Sequence, residues 1–181
     1  RHMKTSNIIL IIFISLISTG VFAQDINRTK IDEKSQMEVL IGLCNRDGLK
    51  SNLFKTYYES EYTAYTPDVS TVNNLKTILL NKNIKVTIVM GSWCGDSQER
   101  VPRFYKIIDA LGFSETNVLI YCVDRTKKTD LPTGQAGKGE TDNLGIQFVP
   151  TFIFYKDGKE IGRITESPKE TLEKDMLILP L

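Results

Sequence analysis

The sequence predicts an α/β protein in which helices flank a central mixed β-sheet, preceded by an N-terminal helical extension. Two runs rich in β-branched and apolar residues, Ile84–Met90 and Asn117–Val123, are typical of buried strands. The pair Asp157-Gly158 between two further apolar runs is the turn signal of a β-hairpin. Segments with apolar residues at helical spacing alternate with these strands, which indicates helices on both faces of the sheet.

Composition and charge fit an ordinary globular protein and exclude several classes of function. The 181 residues are 41% hydrophobic and 25% charged, with 23 basic and 22 acidic side chains. This balance gives no concentrated basic surface, so we expect no nucleic-acid partner. The single histidine, His2, is interpreted with Arg1 as a tag remnant before Met3. Without it the chain lacks the imidazole of Ser-His-Asp triads, Cys-His proteases and histidine-ligated zinc sites.

Residues 1–23 are interpreted as this tag remnant followed by a signal peptide. Lys4 supplies positive charge, Ile8–Ile17 is an apolar run, and Val21 and Ala23 occupy the cleavage positions. The run is shorter than the roughly 20 apolar residues of a membrane-spanning helix. A buried helix and an uncleaved membrane anchor are the alternatives. We therefore predict an exported protein, periplasmic or extracellular, without stable membrane association after signal cleavage.

The rest of the sequence divides into a helical extension, residues 24–60, and a domain over residues 61–181. In the extension, helical spacing predicts two short helices between about residues 34 and 60, the first with Cys44 on its apolar stripe. Residues 62–65 are interpreted as a short strand before a helix that begins near Ser70. A polar stretch over residues 124–143 is expected to end in a short helix, and a last helix to cover residues 168–179.

Cys94 has the position expected of a reactive cysteine. It follows the strand Ile84–Met90 at the start of an amphipathic helix. At that place, backbone amides and the positive end of the helix dipole stabilise a thiolate, the form that attacks disulfides. The three cysteines contain no CxxC pair, so we predict no metal site, and nothing in the sequence calls for a cofactor.

Around Cys94 the sequence resembles the thioredoxin superfamily, which implies a thioredoxin-like fold over residues 61–181. The matching residues are Trp93-Cys94-Gly95-Asp96-Ser97, Pro102 where the family's active-site helix kinks, and Val149-Pro150-Thr151 before the hairpin. The resemblance implies a cis Val149–Pro150 peptide beside Cys94, with the Val149 backbone open to an added substrate strand. A trans proline in an ordinary loop is the alternative. The residues expected to bind substrate are Trp93, Gly95, Asp96, Val149, Pro150 and Thr151.

The departures from the family pattern concern the redox cycle. Ser97 stands where the family usually has a second cysteine; its hydroxyl can donate to the Cys94 thiolate but cannot close a disulfide. Asp96 either disfavours the neighbouring thiolate or is an exposed first-turn acid that favours the helix. The positions that align with the family's buried acid and lysine hold Ile88 and Ile120.

Cys44 and Cys122 are the candidates for a remote resolving cysteine, although both are more typical of packed core thiols. The basic cluster Arg125-Thr126-Lys127-Lys128 is interpreted as a solvated loop. The resemblance to thioredoxin-like folds implies that the loop after the last strand, with Glu166, lies near the active site.

Three functions stay open. The first is monothiol thiol–disulfide exchange through Cys94, of an isomerase or deglutathionylation type, with Ser97 assisting. Its partners would be proteins or low-molecular-weight thiols and disulfides. The second is a redox-inactive peptide-binding or chaperone-like module, and the third is a dithiol oxidoreductase with a remote resolving cysteine. The sequence does not predict the oligomeric state.

Overall fold

A computed structural model describes residues 26–79, 82–127, 129 and 141–180. The predicted signal peptide and most of the polar stretch over residues 124–143 lie outside the described residues. The strands are β1 (Arg28–Ile31), β2 (Glu38–Cys44), β3 (Ile84–Met90), β4 (Val118–Cys122), β5 (Thr151–Lys156) and β6 (Lys159–Thr165). The α-helices are α1 (Arg46–Leu49), α2 (Lys55–Ala64), α3 (Val69–Leu79), α4 (Gly95–Leu111) and α5 (Leu172–Leu177).

The described residues form one six-stranded sheet with the order β1-β2-β4-β3-β5-β6. Strand β3 pairs in parallel with β4 and antiparallel with β5, so the sheet is mixed, as predicted. Because β3 and β4 are parallel, the residues that follow Met90 and Cys122 come out at the same edge of the sheet. This edge carries the candidate site.

The structure corrects the prediction of a helix around Cys44, because this segment is strand β2. Val39, Leu40 and Ile41 are consecutive and all at most 2% exposed, which suits a strand between β1 and β4 rather than a one-sided helical stripe. Met37, which at seven residues before Cys44 would share the apolar stripe of a helix, is 64% exposed. The extension therefore contributes a β-hairpin to the sheet in addition to helices.

The predicted strand at residues 62–65 is also wrong, because α2 continues to Ala64. Tyr58 and Tyr62, four residues apart on this helix, stack with ring centroids separated by 5.6 Å. Helix α2 thus runs through the boundary that the sequence placed between residues 60 and 61.

Most other predicted elements are present close to their expected positions. Strand β3 has the predicted bounds, and the β5–β6 turn places Asp157 and Gly158 at positive φ of 50° and 80°, as a two-residue hairpin turn requires. Residues 142–144 form the short helical turn expected at the end of the polar stretch. The last helix is shorter than predicted, because it begins at Leu172 after an N-cap at Thr171.

The larger of two hydrophobic clusters among the described residues packs helices against the sheet and includes Phe104, Phe152 and Cys122. The smaller cluster consists of Val89, Val123 and Val149, and Trp93 and Cys94 pack against it. Among the described residues, no helix combines the length and apolar character needed to cross a bilayer.

Candidate active site around Cys94

Cys94 is the N-cap residue of α4, a helix of 17 residues. Its backbone is extended, with φ of −96° and ψ of 124°, and its carbonyl oxygen accepts the N–H of Gln98 at 2.9 Å. The first N–H groups of a helix have no acceptor within the helix, so the partial positive charge of this end lies next to the partly exposed Sγ. The strand-to-helix junction therefore places the thiol at the positive end of α4.

The Cys94 thiol contacts the loop that precedes β5. Its Sγ donates a hydrogen bond to the Val149 carbonyl oxygen at 3.2 Å, and the Val149–Pro150 peptide bond is cis. Within the described residues, no acceptor receives a hydrogen bond from the Val149 N–H. The backbone next to the sulfur thus retains a donor that an extended peptide can use.

Trp93 is held against the sheet edge from several sides. Its indole Nε1–H donates to the Val123 carbonyl oxygen at 2.9 Å, and the guanidinium carbon of Arg125 lies 4.6 Å from the ring centroid. A Cβ at position 91 would lie 2.6 Å from the Trp93 ring, so the close approach of this ring requires Gly91.

Ser97 has a different hydrogen-bond partner from the one that the sequence suggested. The residue is 0% exposed, and its Oγ accepts the Gly91 N–H at 3.2 Å. It ties the first turn of α4 to the end of β3. Whether Ser97 also assists Cys94 stays a prediction.

Asp96 behaves as an exposed first-turn acid. Its carboxylate is 39% exposed and lies 2.8 Å from Nη1 of Arg100, one helical turn further on. Arg100 also donates to the Ser167 hydroxyl at 2.9 Å, in the loop that follows β6. This arrangement favours the interpretation in which Asp96 supports the helix start, because its charge is already paired.

The remaining predicted binding residues shape the loop next to Cys94. Thr151 is 1% exposed and its hydroxyl donates to the Phe148 carbonyl oxygen at 2.7 Å, so this side chain braces the loop. The Pro150 carbonyl oxygen accepts the Glu166 N–H at 2.7 Å, which places the loop after β6 beside the site, as expected. Gly95 borders a cleft of about 550 Å³ that residues of α2 and α4 also line.

Cys44 and Cys122 face one another rather than Cys94. Cys44 pairs with Ile120 across β2 and β4, so Cys44 and Cys122 are diagonal neighbours on one face of the sheet. A hydrogen bond with Cys44, together with burial, raises the pKa of Cys122 well above its ordinary value. Both belong to the larger cluster, whereas Cys94 packs on the smaller one. The structure does not bring either candidate resolving cysteine to Cys94.

The positions aligned with the family's buried acid and lysine are apolar in the structure too. Ile88 and Ile120 pair directly across β3 and β4 and are at most 1% exposed. Among the described residues, no group of three or more His, Cys, Asp or Glu side chains could hold a metal ion.

Comparison with known proteins identifies the family. Residues 67–177 match the family model described as Thioredoxin. The chain belongs to the thioredoxin family. This membership, with the mixed sheet and its flanking helices, gives the chain a thioredoxin-like fold and supports a thiol–disulfide redox function.

Two curated thioredoxins are similar to this thioredoxin-family chain. The Dictyostelium discoideum protein named "Putative thioredoxin-5" is 32% identical over 95 residues, which cover 52% of this chain and 80% of that protein. Thioredoxin of Gallus gallus is 27% identical over 84 residues, which cover 46% of this chain and 68% of that protein. Among solved structures, Fasciola hepatica thioredoxin is 24% identical and matches with a TM-score of 0.33, covering 50% of this chain and 76% of that one.

Sequence reasoning missed Gly91 and Arg125 as parts of the site. Arg125, assigned to a solvated loop, packs on Trp93 and lies 3.3 Å from Asp32. One signal was present: Trp93 and Arg125 both follow buried strands, and the ends of parallel neighbouring strands meet at one edge of a sheet. The role of Asp32 left no such signal, because the sequence predicted no element before about residue 34.

Proposed function

We propose that this protein is an exported monothiol enzyme that exchanges disulfides through Cys94. The observation that carries the proposal is the combination of a partly exposed Cys94 at the start of α4 with the buried Ser97 at the position of the second cysteine. Cys44 and Cys122 are buried together in another cluster. Cys94 therefore depends on a thiol from outside the chain to complete its cycle.

The exchange has two steps. The Cys94 thiolate attacks one sulfur of a substrate disulfide, so that a bond to Sγ forms, the substrate S–S bond breaks and the departing thiolate takes up a proton. A low-molecular-weight or protein thiolate then attacks the substrate sulfur of the mixed disulfide, so that a new S–S bond forms between these two sulfurs and the bond to Sγ breaks. Cys94 leaves as the thiolate, the attacking thiol is oxidised, and the substrate thiol released in the first step is the reduced product. The chain itself undergoes no net redox change, which suits isomerisation or deglutathionylation.

The surroundings of Cys94 support binding of an extended peptide. The Val149 carbonyl oxygen lies 3.2 Å from Sγ, and the Val149 N–H donates no hydrogen bond within the described residues. A substrate segment running past Cys94 can use this backbone as an added strand. Glu166, in the loop beside Pro150, adds negative charge at this edge, so we expect weaker reaction with strongly acidic substrates.

The exchange proposal is tested by trapping the mixed disulfide. We expect the full chain, treated with oxidised glutathione and quenched with acid, to carry one glutathione adduct on Cys94, which reduced glutathione removes. Cys94→Ser should give no adduct, and the matched variant Cys122→Ala should give the adduct of the unmodified chain. An adduct confined to Cys44 or Cys122, or a native Cys94 that stays unmodified, would contradict the proposal.

A peptide-binding module without catalysis is the second candidate. Phe148, next to Val149, is an apolar side chain that is 50% exposed, which suits contact with a partner. This function predicts that Cys94→Ser keeps the affinity for an unfolded, cysteine-free peptide, measured by calorimetry, and that Phe148→Ser lowers it. No measurable binding by the unmodified chain would remove this candidate.

Export rests on residues 1–23 alone. Expression in a bacterium, followed by fractionation and N-terminal sequencing, should recover a chain that begins at Gln24 outside the cytoplasm. A chain that keeps residues 1–23 in the cytoplasm would contradict it.

A further inference from the structure

Arg125 connects the tryptophan of the active-site motif to the N-terminal hairpin. Its guanidinium carbon lies 4.6 Å from the centroid of the Trp93 ring, and its Nε lies 3.3 Å from Oδ2 of Asp32 in the β1–β2 connection. About a third of the Arg125 side chain is exposed. One cation thus contacts an aromatic face and a carboxylate at the same time.

Asp32 is held in place by Ser35 as well as by Arg125. Its Oδ2 accepts the Ser35 N–H at 2.9 Å and the Ser35 hydroxyl at 2.7 Å, and the residue is 4% exposed. These Ser35 bonds, with the positive charge of Arg125, hold the pKa of Asp32 below its ordinary value. The connection therefore presents a charged, pre-oriented carboxylate.

Two further contacts join the same hairpin to the site. Lys30 on β1 pairs with Asp124, the residue before Arg125. The Leu40 N–H on β2 donates to the Ser92 hydroxyl at 3.0 Å, one residue before Trp93. The hairpin thus contacts both segments that emerge beside Cys94.

We propose that Arg125 is a positioning residue that holds the Trp93 indole beside Cys94, and that the β1–β2 hairpin supplies the carboxylate, Asp32, that holds Arg125 in place. The hairpin lies outside residues 67–177, which match the family model, and it completes the site that this segment builds. The consequence for Cys94 reactivity rests on the proposed function, whereas the consequence for Trp93 does not.

Apart from Arg125, the indole is held by one hydrogen bond, by its approach to Gly91 and by packing on the smaller cluster. Arg125 covers a ring face, and cation–π attraction restricts how far the ring can turn. A ring that turns more freely takes up space next to Sγ, which lowers the fraction of time in which a disulfide can approach in line.

Trp93 is the only tryptophan of the chain, so fluorescence reports on it directly. We expect Arg125→Met to raise acrylamide quenching of Trp93 and to slow formation of the Cys94 mixed disulfide by about two- to fivefold, the range that a surface cation–π contact implies. Arg125→Lys should have smaller effects on the quenching and on the rate, because it keeps a cation within reach of the ring and the carboxylate. Asp32→Asn should change the quenching and the rate in the same direction as Arg125→Met.

Lys174→Met is the matched control, because it breaks an exposed ion pair with Glu170 on the C-terminal side of the chain. It should leave quenching and rate unchanged. Unchanged quenching in Arg125→Met, or equal effects of Arg125→Lys and Arg125→Met, would overturn the inference. If circular dichroism shows that Arg125→Met does not fold, the quenching and the rate of Arg125→Lys and Asp32→Asn test the role of Arg125 instead. If the unmodified chain forms no mixed disulfide, the proposed function fails, and the quenching comparison still decides the role of Arg125.

Discussion

At the scale of single residues, Ser97 is the residue on which the proposed monothiol cycle depends, because a hydroxyl cannot close a disulfide with Cys94. It is fully buried in the first turn of α4 and its Oγ accepts the Gly91 N–H. A cysteine has nearly the volume of serine and would occupy the place from which the family's second thiol reaches the first. One atom, the sulfur or oxygen of residue 97, thus separates a dithiol site from the monothiol site proposed here.

Ser97→Cys should convert the monothiol site into a dithiol site. We expect an intramolecular disulfide with Cys94 after oxidation, detected by mass spectrometry, and no accumulation of mixed disulfides, because the new thiol displaces the substrate. Accumulation at the level of the unmodified chain would show that the α4 geometry does not allow closure.

Ser97→Ala separates the structural role of the hydroxyl from its proposed chemical role. The buried Gly91 N–H loses its acceptor, so the free energy of unfolding should fall by about 1–3 kcal/mol in denaturant titrations. If Ser97 only supports the fold, the rate of mixed-disulfide formation per folded molecule should be unchanged. A lower rate would support direct assistance to Cys94.

Gly91→Ala should destabilise the protein through Trp93. The new methyl carbon would lie 2.6 Å from the indole, so the ring or the strand end must move, at a cost of about 1–3 kcal/mol. Thermal unfolding and Trp93 fluorescence should change together. Gly95→Ala is the matched control for unfolding, because a Cβ there meets no atom within 4 Å.

At the scale of elements, a polar cluster joins α1 and α2 to α4. Arg46 donates to both carboxylate oxygens of Asp109, at 2.9 and 2.8 Å, and the Tyr62 hydroxyl donates to Asp109 at 2.7 Å. Burial raises the pKa of Asp109, but the Arg46 and Tyr62 hydrogen bonds outweigh it, and the pKa lies below its ordinary value. The ionised carboxylate therefore stabilises the fold.

Asp109→Asn should lower the free energy of unfolding at pH 7 by about 1–2 kcal/mol, because one charge-assisted contact is lost at a partly exposed site. A carboxyl whose pKa is lowered in the folded state stabilises the folded protein fully at pH values above its unfolded-state pKa, near 4. This stabilisation is lost as the pH falls through the folded-state pKa. The difference between the two proteins in urea titrations should thus shrink below about pH 4. A difference that stays constant with pH would show that the ionised form contributes nothing.

The elements also show what the sequence can and cannot predict. Strand β3 has the predicted bounds because its apolar, β-branched end, Ile88–Met90, has no helical period that could be mistaken for another structure. The segment at Cys44 was mistaken for a helix because its apolar spacing fits both periods. The segment becomes a strand through its pairing with β1, which the sequence did not predict, and with β4, which lies far away in the sequence.

At the scale of the whole molecule, the site combines contacts between neighbours in the sequence with contacts between segments that are far apart in it. The place of Cys94 follows from a strand and a helix that adjoin it in sequence, so it was predictable. The contacts of Arg125 with Trp93 and Asp32 depend on parallel pairing of β3 and β4 and on the added hairpin. Such contacts leave no local pattern, and the one role that the sequence suggested for the extension at the site was that of Cys44 as a resolving cysteine.

In the proposed cycle, Cys94 is released only by a thiol from outside the chain. The decay of a purified Cys94–glutathione mixed disulfide, followed by mass spectrometry with and without added reduced glutathione, tests this directly. We predict that the adduct persists without added thiol and decays at a rate proportional to the thiol concentration. Spontaneous release, with an intrachain disulfide joining Cys94 to Cys44 or Cys122, would show that a cysteine of the chain itself resolves the adduct and would contradict the monothiol cycle.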